Sequence, residues 1–241
     1  PAVRATALLI ADDTPACSSP PAFSTVEVSG ATVNDMPSAK TTTPTPAAAP
    51  VAERTYLLER IDEAAVVQLY ADGFSALPLK DKTLVWHLYQ AALAGRDIYY
   101  DQKYGPSLEM RDVLEAIITH AQGIEKATIE EVTRYTKLFW INTGPHNNLT
   151  ARKFVLQCTP EAFAAAAHAA ERAGATFALR NGETLDRLLA RLQPAFFDPN
   201  VDPIVTNKTP PAGKDILTAS SNNLYVGLSM KDLEGFREKS P

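Results

Sequence analysis

A tract rich in proline, alanine and threonine, residues 37–52, separates this 241-residue chain into two parts of different character. Fourteen of its sixteen residues are Pro, Ala, Thr or Ser. Such a tract has almost no apolar surface to bury, and its prolines keep the backbone extended and solvated. We therefore expect residues 1–52 to be a disordered leader and tether, and residues 53–241 to form the folded part.

The leader contains a short apolar run, residues 5–11 (ATALLIA), which follows Arg4 and precedes Cys17. An apolar run followed by a cysteine and a proline-rich spacer is typical of an export signal with a lipid-modified cysteine. This run is short, however, and aspartates follow it directly. Two interpretations therefore stay open: an exported, periplasmic protein with a lipid anchor at Cys17, or a cytoplasmic protein with a disordered extension.

The charge balance excludes some classes of partner. Lys and Arg number 23 and Asp and Glu number 28, which gives a formal net charge of -5. A protein that binds by neutralising phosphates needs a basic surface, so we expect no nucleic acid partner. No apolar run reaches the ~20 residues that a membrane-spanning helix needs, so we expect no membrane span.

Apolar residues recur at helical spacing through most of the folded part and predict a helix-rich domain. The predicted helices cover residues 78–95, 107–123, 128–144, 159–174 and 184–194, and a short last helix begins at Ser229. In the first of these, Leu84 and Leu88 share an apolar face that we expect to be buried, with His87 packed beside it. At the start of the third, Thr128 and Glu131 have the spacing of a capping box.

Strand signals are weaker and shorter. Residues 56–70 are ambiguous, because the first half has a helical composition and residues 66–70 would fit a strand. Residues 215–220 and 224–228 are predicted to be short strands. The sequence therefore predicts the α+β class, with a helix-rich body and few strands.

Complete catalytic motifs are absent from the sequence. The four histidines are His87, His120, His146 and His168, and none is paired with a second histidine at the spacing of a helical metal site. The sequence contains no nucleophile elbow, no phosphate-binding loop and no dinucleotide-binding glycine motif. Cys158 has no histidine near it in the sequence, and we expect it to be a small buried apolar residue.

One polar segment stands out, residues 142–154, which follow the aromatic end of the third helix. Its asparagines and histidine offer hydrogen-bond donors and acceptors with little net charge, which suits the binding of a peptide backbone. The same side chains could instead satisfy the backbone of their own turn. Both interpretations stay open from the sequence. The candidate binding residues are Asn142, Gly144, Pro145, His146, Asn147 and Asn148.

Residues 140–154, WINTGPHNNLTARKF, resemble a segment of the dipeptidyl peptidase III family of zinc exopeptidases, which reads roughly W-x-x-x-G-x-H/Y-x-x-x-x-x-x-K-F. Residues 73–99, 185–199 and 222–229 resemble further segments of this family in the same order. The resemblance covers about residues 56–241, nearly the whole of the predicted folded part.

The resemblance implies an enzyme that releases dipeptides from the amino terminus of oligopeptides, with a zinc-bound water as the attacking group. The family holds its zinc with an H-E-x-x-G-H or H-E-x-x-H helix and a further glutamate, and this sequence contains neither motif. The resemblance therefore implies an N-terminal part of such an enzyme, inactive alone and binding no zinc itself. Its partner would be a C-terminal lobe that bears the zinc.

In that interpretation the chain supplies part of the non-zinc lobe, with strands of an incomplete small β-barrel among the helices. The polar segment would lie along the cleft wall and contact the peptide without taking part in the chemistry, so no catalytic residue and no metal ligand is predicted in this chain. The alternative is a stand-alone helical module that binds peptides or a partner without catalysis.

Overall fold

A computed structural model of the chain describes residues 54–237. The prediction of a disordered leader over residues 1–52, with the proposed lipid attachment at Cys17, lies outside the described residues. The chain divides into two compact units, with the boundary between Leu88 and Tyr89.

The first unit contains a β-hairpin, which resolves the ambiguity of residues 56–70 in favour of strands. Strand β1 (Leu57–Ile61) pairs antiparallel with β2 (Ala64–Val67), and Asp62 makes the turn with a φ of 51°. A 3-10 turn follows at Asp72–Ala76. Arg54 binds the carboxylate of Asp72 through both terminal nitrogens, each at 2.7 Å.

The helices confirm the helix-rich α+β prediction. They are α1 (Leu79–Ala94), α2 (Arg96–Lys103), α3 (Ser107–Thr119), α4 (Lys126–Asn142), α5 (Pro160–Arg172), α6 (Leu185–Phe197) and α7 (Met230–Leu233). The sequence predicted each of these except α2, which starts directly after Gly95, where α1 was expected to stop. Helix α2 is short and mostly polar, and it buries only Tyr100, so its apolar signal in the sequence is weak.

The hydrophobic core of the second unit lies among α3, α4, α5 and α6. Tyr135 is at its centre, fully buried, with its ring 5.3 Å from that of Phe154 and 6.0 Å from that of Phe196. Helix α5 contributes mainly alanines to this core, so its backbone can approach α3 closely. Burial of these apolar side chains is the main force that holds the four helices together.

The predicted helix starts are correct with one exception. Thr159 and Thr184 accept backbone N–H groups at the starts of α5 and α6, and Ser229 forms the capping box of α7. At α4 the prediction of a Thr128–Glu131 capping box is wrong. Glu125 caps this helix instead, because its carboxylate accepts the backbone N–H groups of residues 127 and 128 at 2.9 and 2.7 Å.

The predicted stop of α6 at Pro194 is also wrong, since the helix continues to Phe197. A proline removes only one helical hydrogen bond, and the next turn buries Ala195 and Phe196 in the core. Burying an aromatic side chain contributes about 1.5–3 kcal/mol, enough to offset much of what the proline costs.

The strands predicted at residues 215–220 and 224–228 are wrong as well. Residues 215–220 form a turn in which Asp215 accepts the backbone N–H groups of Leu217 and Thr218, both at 2.9 Å. Residues 224–228 form bends and a turn in which Gly227 has a φ of 79°. Within residues 54–237 the only sheet is β1–β2, and no barrel is formed there.

Two side-chain predictions for α1 differ from the structure. Leu84 and Leu88 are 57% and 60% exposed, and His87 is exposed too, although this face was expected to be buried. Periodicity shows that a helix has an apolar face but does not show what covers it. None of the helices in the described part of the chain is long and apolar enough to cross a membrane.

Candidate functional site

The polar segment, residues 142–154, here called the Asn loop, begins where α4 ends. Thr143 adopts the left-handed conformation and Gly144 has a φ of 129°, so the chain reverses sharply. A Cβ atom at Gly144 would lie 3.1 Å from Oγ of Ser107 on α3. The position needs glycine both for this close approach and for its backbone conformation.

Two of the asparagines bind the backbone of the loop itself. Asn142 donates from Nδ2 to the carbonyl of Leu138 at 2.9 Å and accepts the N–H of Asn148 at 2.9 Å. Asn147 accepts the N–H groups of Leu149 and Thr150 at 2.9 and 3.0 Å. For these two side chains the structure therefore shows the turn-stabilising role that the sequence left open.

His146 is fully buried and links the loop to residue 202. Its Nε2 lies 2.8 Å from the carbonyl oxygen of Asp202, and since a carbonyl only accepts, Nε2 carries the hydrogen. Tyr104 packs edge-on against the imidazole and donates from its hydroxyl to the Asp202 carboxylate at 2.9 Å. Burial lowers the pKa of His146 to about 4, so the ring is neutral at physiological pH.

A lysine outside the loop, Lys103, binds three oxygen atoms of the loop. The ammonium of Lys103, at the end of α2, donates to the carbonyls of Asn142 and His146 and to Oδ1 of Asn148. Burial lowers the pKa of Lys103 to about 8. Asn142 is the last residue of α4, so the cation also lies where the carbonyls of a helix end carry partial negative charge.

Lys153, within the loop, repeats this arrangement at the end of α6. Its ammonium donates to the carbonyls of Pro194, Asp198 and Val201 at 3.0, 2.9 and 2.7 Å. Burial lowers the pKa of Lys153 as well. An open groove of about 360 Å³ lies beside this contact and shares Pro194 and Asp198 with it. Its other lining residues are Ala190, Gln193, Phe197 and Pro199.

Backbone pairing completes the support of the loop. The N–H of Asn147 donates to Arg152, and that of Phe154 to Pro145, both at 2.9 Å, so the two arms of the loop pair with each other. The second arm also pairs with residues 203–205, through the N–H of Lys153 at 2.9 Å. The loop is therefore fixed at both arms, and residues 148–150 form an exposed tip.

The candidate binding residues fall into two groups. Asn142, Gly144, Pro145 and His146 are buried, Asn147 is half-buried, and Asn148 is exposed at the tip. The buried side chains shape the loop from inside, so a molecule in solvent would meet Asn148 and its neighbours first. The sequence did not indicate Lys103, Tyr104 or Asp202 as parts of this arrangement, and no local motif marks them.

Among the residues that the structure describes, those with metal-binding chemistry do not form a centre. Within residues 54–237 no group of three His, Cys, Asp or Glu side chains is arranged to hold a metal ion. The described residues therefore do not fit the zinc site that the family resemblance implies for the whole enzyme. Cys158 is half-buried, and burial and nearby Glu131 raise the pKa of its thiol, so it is not activated as a nucleophile.

Comparison with known proteins adds no relative: no family model matches the chain, and no curated protein matches it.

Proposed function

We propose that this chain forms an N-terminal part of the non-zinc lobe of a zinc-dependent dipeptidyl peptidase. In this proposal the Asn loop is part of the cleft wall and contacts the oligopeptide substrate. The family resemblance of residues 140–154 supports the enzyme class, and the geometry of the loop supports the peptide contact. The zinc, and the strands that would complete a small β-barrel, come from outside the described residues, and no catalytic step is assigned to this chain.

The observation that carries the peptide contact is the set of unused hydrogen-bonding groups at a rigid tip. The carbonyls of Asn148, Leu149 and Thr150 accept no hydrogen bond from the described residues. The N–H groups of the same three residues, by contrast, donate to asparagine side chains of the loop. Nδ2 of Asn148 makes only a long contact of 3.4 Å, to the carbonyl of Ile141. The tip can therefore accept peptide N–H groups and donate to a peptide carbonyl.

Because the loop is preorganised, these groups can bind a peptide at a low cost in conformational entropy. A flexible loop would lose conformational entropy when it bound a peptide, and each ordered residue costs about 1–2 kcal/mol. The Asn loop is already ordered by Lys103, Lys153 and the asparagines, so little of this cost remains at the moment of binding.

The peptide contact is tested by calorimetry of the 241-residue chain with a pentapeptide that has a free amino terminus. Replacement Asn148→Ala should weaken binding about five- to tenfold, since one hydrogen bond contributes about 1 kcal/mol. Asn200→Ala is the matched control, because Asn200 is also an exposed asparagine in a turn. Equal affinity of both variants and the unaltered chain would remove the loop tip from the binding site.

The enzyme class is tested separately. If the reading frame continues beyond Pro241 into an H-E-x-x-G-H or H-E-x-x-H motif, the longer product should contain zinc and release dipeptides from a dipeptidyl naphthylamide. A stop codon directly after Pro241 would favour the alternative, a stand-alone peptide-binding or interaction module.

A further inference from the structure

The only Asn-Gly pair in the sequence, Asn181–Gly182, lies at the tip of an exposed turn before α6. The N–H of Glu183 donates to the carbonyl of Arg180 at 2.9 Å and closes the turn. Gly182 has a φ of 74°, and a Cβ atom built on it would have no neighbour within 4 Å. The two residues therefore lie in open solvent in a turn class that favours glycine at this position.

The reacting groups of this pair are not held by other residues. Within residues 54–237, neither the carboxamide of Asn181 nor the backbone N–H of Gly182 has a hydrogen-bond partner. The carboxamide is therefore free to rotate toward the nitrogen that follows it. Because glycine has no Cβ, nothing on residue 182 blocks the approach of that nitrogen.

We infer that Asn181 is a site of spontaneous deamidation, through a cyclic imide formed with Gly182. The backbone nitrogen of Gly182 loses its proton and bonds to Cγ of Asn181, and the Cγ–Nδ2 bond breaks to release ammonia. Solvent water then opens the ring at either carbonyl, which leaves aspartate or isoaspartate at position 181. The overall change is one water consumed and one ammonia released, with no oxidant or reductant.

Other positions of the same chain show what protects such a site. Asp72–Gly73 could form the same ring, but Arg54 holds both carboxylate oxygens of Asp72 at 2.7 Å. Asn147 is occupied by two backbone N–H groups. Asn181 lacks both kinds of restraint within the described residues and is followed by glycine, so it should react first.

The product would disturb a charged cluster beside the turn. Glu183 binds Arg191 at 3.0 Å, and both Arg180 and Arg191 bind the carboxylate of Glu109 on α3. Isoaspartate adds a carbon to the backbone of the turn and would break the bond between Arg180 and Glu183. It also adds a negative charge close to Glu183. The ion pairs by which this cluster holds α6 against α3 should therefore weaken.

The test is incubation of the purified, folded chain at mildly alkaline pH, followed by peptide mapping with mass spectrometry and enzymatic labelling of isoaspartate. The peptide that contains residue 181 should convert from amide to acid before any other peptide, with isoaspartate among the products. Asn181→Gln should abolish the conversion at this peptide. Gly182→Ala should slow it roughly fivefold or more, because alanine resists a positive φ and its methyl group hinders the attack.

Two results would overturn the inference. One is conversion of the peptide that contains the exposed Asn200, or of the one that contains the half-buried Asn207, ahead of the Asn181 peptide. The other is a folded chain in which Asn181 stays an amide while the chain in denaturant converts, because the folded turn would then hold the reacting atoms apart. Circular dichroism of Gly182→Ala checks that a slower reaction does not come from a change of fold.

Discussion

Acid should destabilise this protein through His146. The ordinary pKa of a histidine is 6.5, and in the folded chain burial lowers the pKa of His146 to about 4. Between these two values the unfolded chain binds a proton that the folded chain rejects, so the free energy of unfolding rises with pH in this window. The contribution of neutral His146 to the free energy of unfolding is complete above pH 6.5 and is lost as the pH falls through about 4.

The magnitude follows from the shift. One pKa unit corresponds to about 1.4 kcal/mol, so the difference between the folded and unfolded values is equivalent to about 3 kcal/mol. This is a large part of the roughly 5–15 kcal/mol by which domains are usually stable. The structural cause is the full burial of a ring that already donates from Nε2 to Asp202, with the cationic Lys103 and Lys153 nearby.

The assay is urea unfolding at a series of pH values, with His146→Gln as the comparison. Glutamine keeps an N–H donor for the carbonyl of Asp202 but does not titrate. Carboxylates such as Glu109, whose pKa is lowered by Arg191, lose stability in acid in both proteins and cancel in the difference. The difference in unfolding free energy should fall by about 3 kcal/mol toward pH 4. A flat difference across this range would refute the assignment of the acid effect to His146.

Three further predictions concern the loop and the α5–α6 contact. Lys103→Met should lower the free energy of unfolding in urea by about 2–4 kcal/mol, because two carbonyls of the loop lose their donor. The control Lys126→Met, at a side chain that is 86% exposed, should lower it by under about 0.5 kcal/mol. Gly144→Ala should cost about 3 kcal/mol and broaden the amide spectrum of the loop, because the methyl group meets α3 at a φ of 129°. The pKa of His168 is raised mainly by its bond to Asp186 and also by Glu171, so the stability that this histidine contributes is present below 6.5 and lost as the pH rises through the raised value. Asp186→Asn should reduce this dependence, which is worth under about 1 kcal/mol at such an exposed pair. An NMR titration of the imidazole of His168 that is unchanged in Asp186→Asn would contradict the last prediction.

The helices could be predicted because their signals are local. The apolar faces of α3, α4, α5 and α6 recur every three or four residues, and these four helices do form the buried core. Pro194 wrongly predicts the end of α6, because Phe196 is buried by residues far along the chain and that burial outweighs the local effect of the proline. Tertiary packing overrides local propensity in the same way at many helix ends.

The failed strands have a similar cause. Residues 215–220 contain β-branched and small residues that fit a strand, but the Asp215 side chain can bind the backbone two and three residues on. Aspartate competes with extended pairing in this way, and a short segment with no neighbouring strand has nothing to outweigh it. The pairing that does occur, between residues 151–153 and 203–205, joins segments with no clear strand pattern.

The position of the Asn loop could be read from the sequence, but its support could not. Lys103 is 39 to 45 residues away from the groups that it binds, and Tyr104 is 98 residues from Asp202. Hydrogen bonds over such separations depend on the packing of α2 and α4 and leave no pattern in a single sequence. The six candidate residues were therefore chosen for their chemistry, and only the structure separates the exposed Asn148 from the buried members.

The two lysines explain how a loop whose exposed tip has no charged side chain can still be held in one conformation. Each ammonium is turned inward onto oxygens that carry no formal charge, so the cations organise the backbone without presenting a charged face to solvent. A loop fixed by surface ion pairs would place charged groups beside any bound peptide and would loosen in salt. In the Asn loop the exposed tip has no charged side chain: it offers the Asn148 amide, the Thr150 hydroxyl and backbone carbonyls, beside the apolar side chain of Leu149. These polar groups are suited to a peptide backbone. Peptide binding at this tip should therefore depend little on ionic strength, and a steep salt dependence in the calorimetric titration would show that the peptide binds to a charged surface elsewhere.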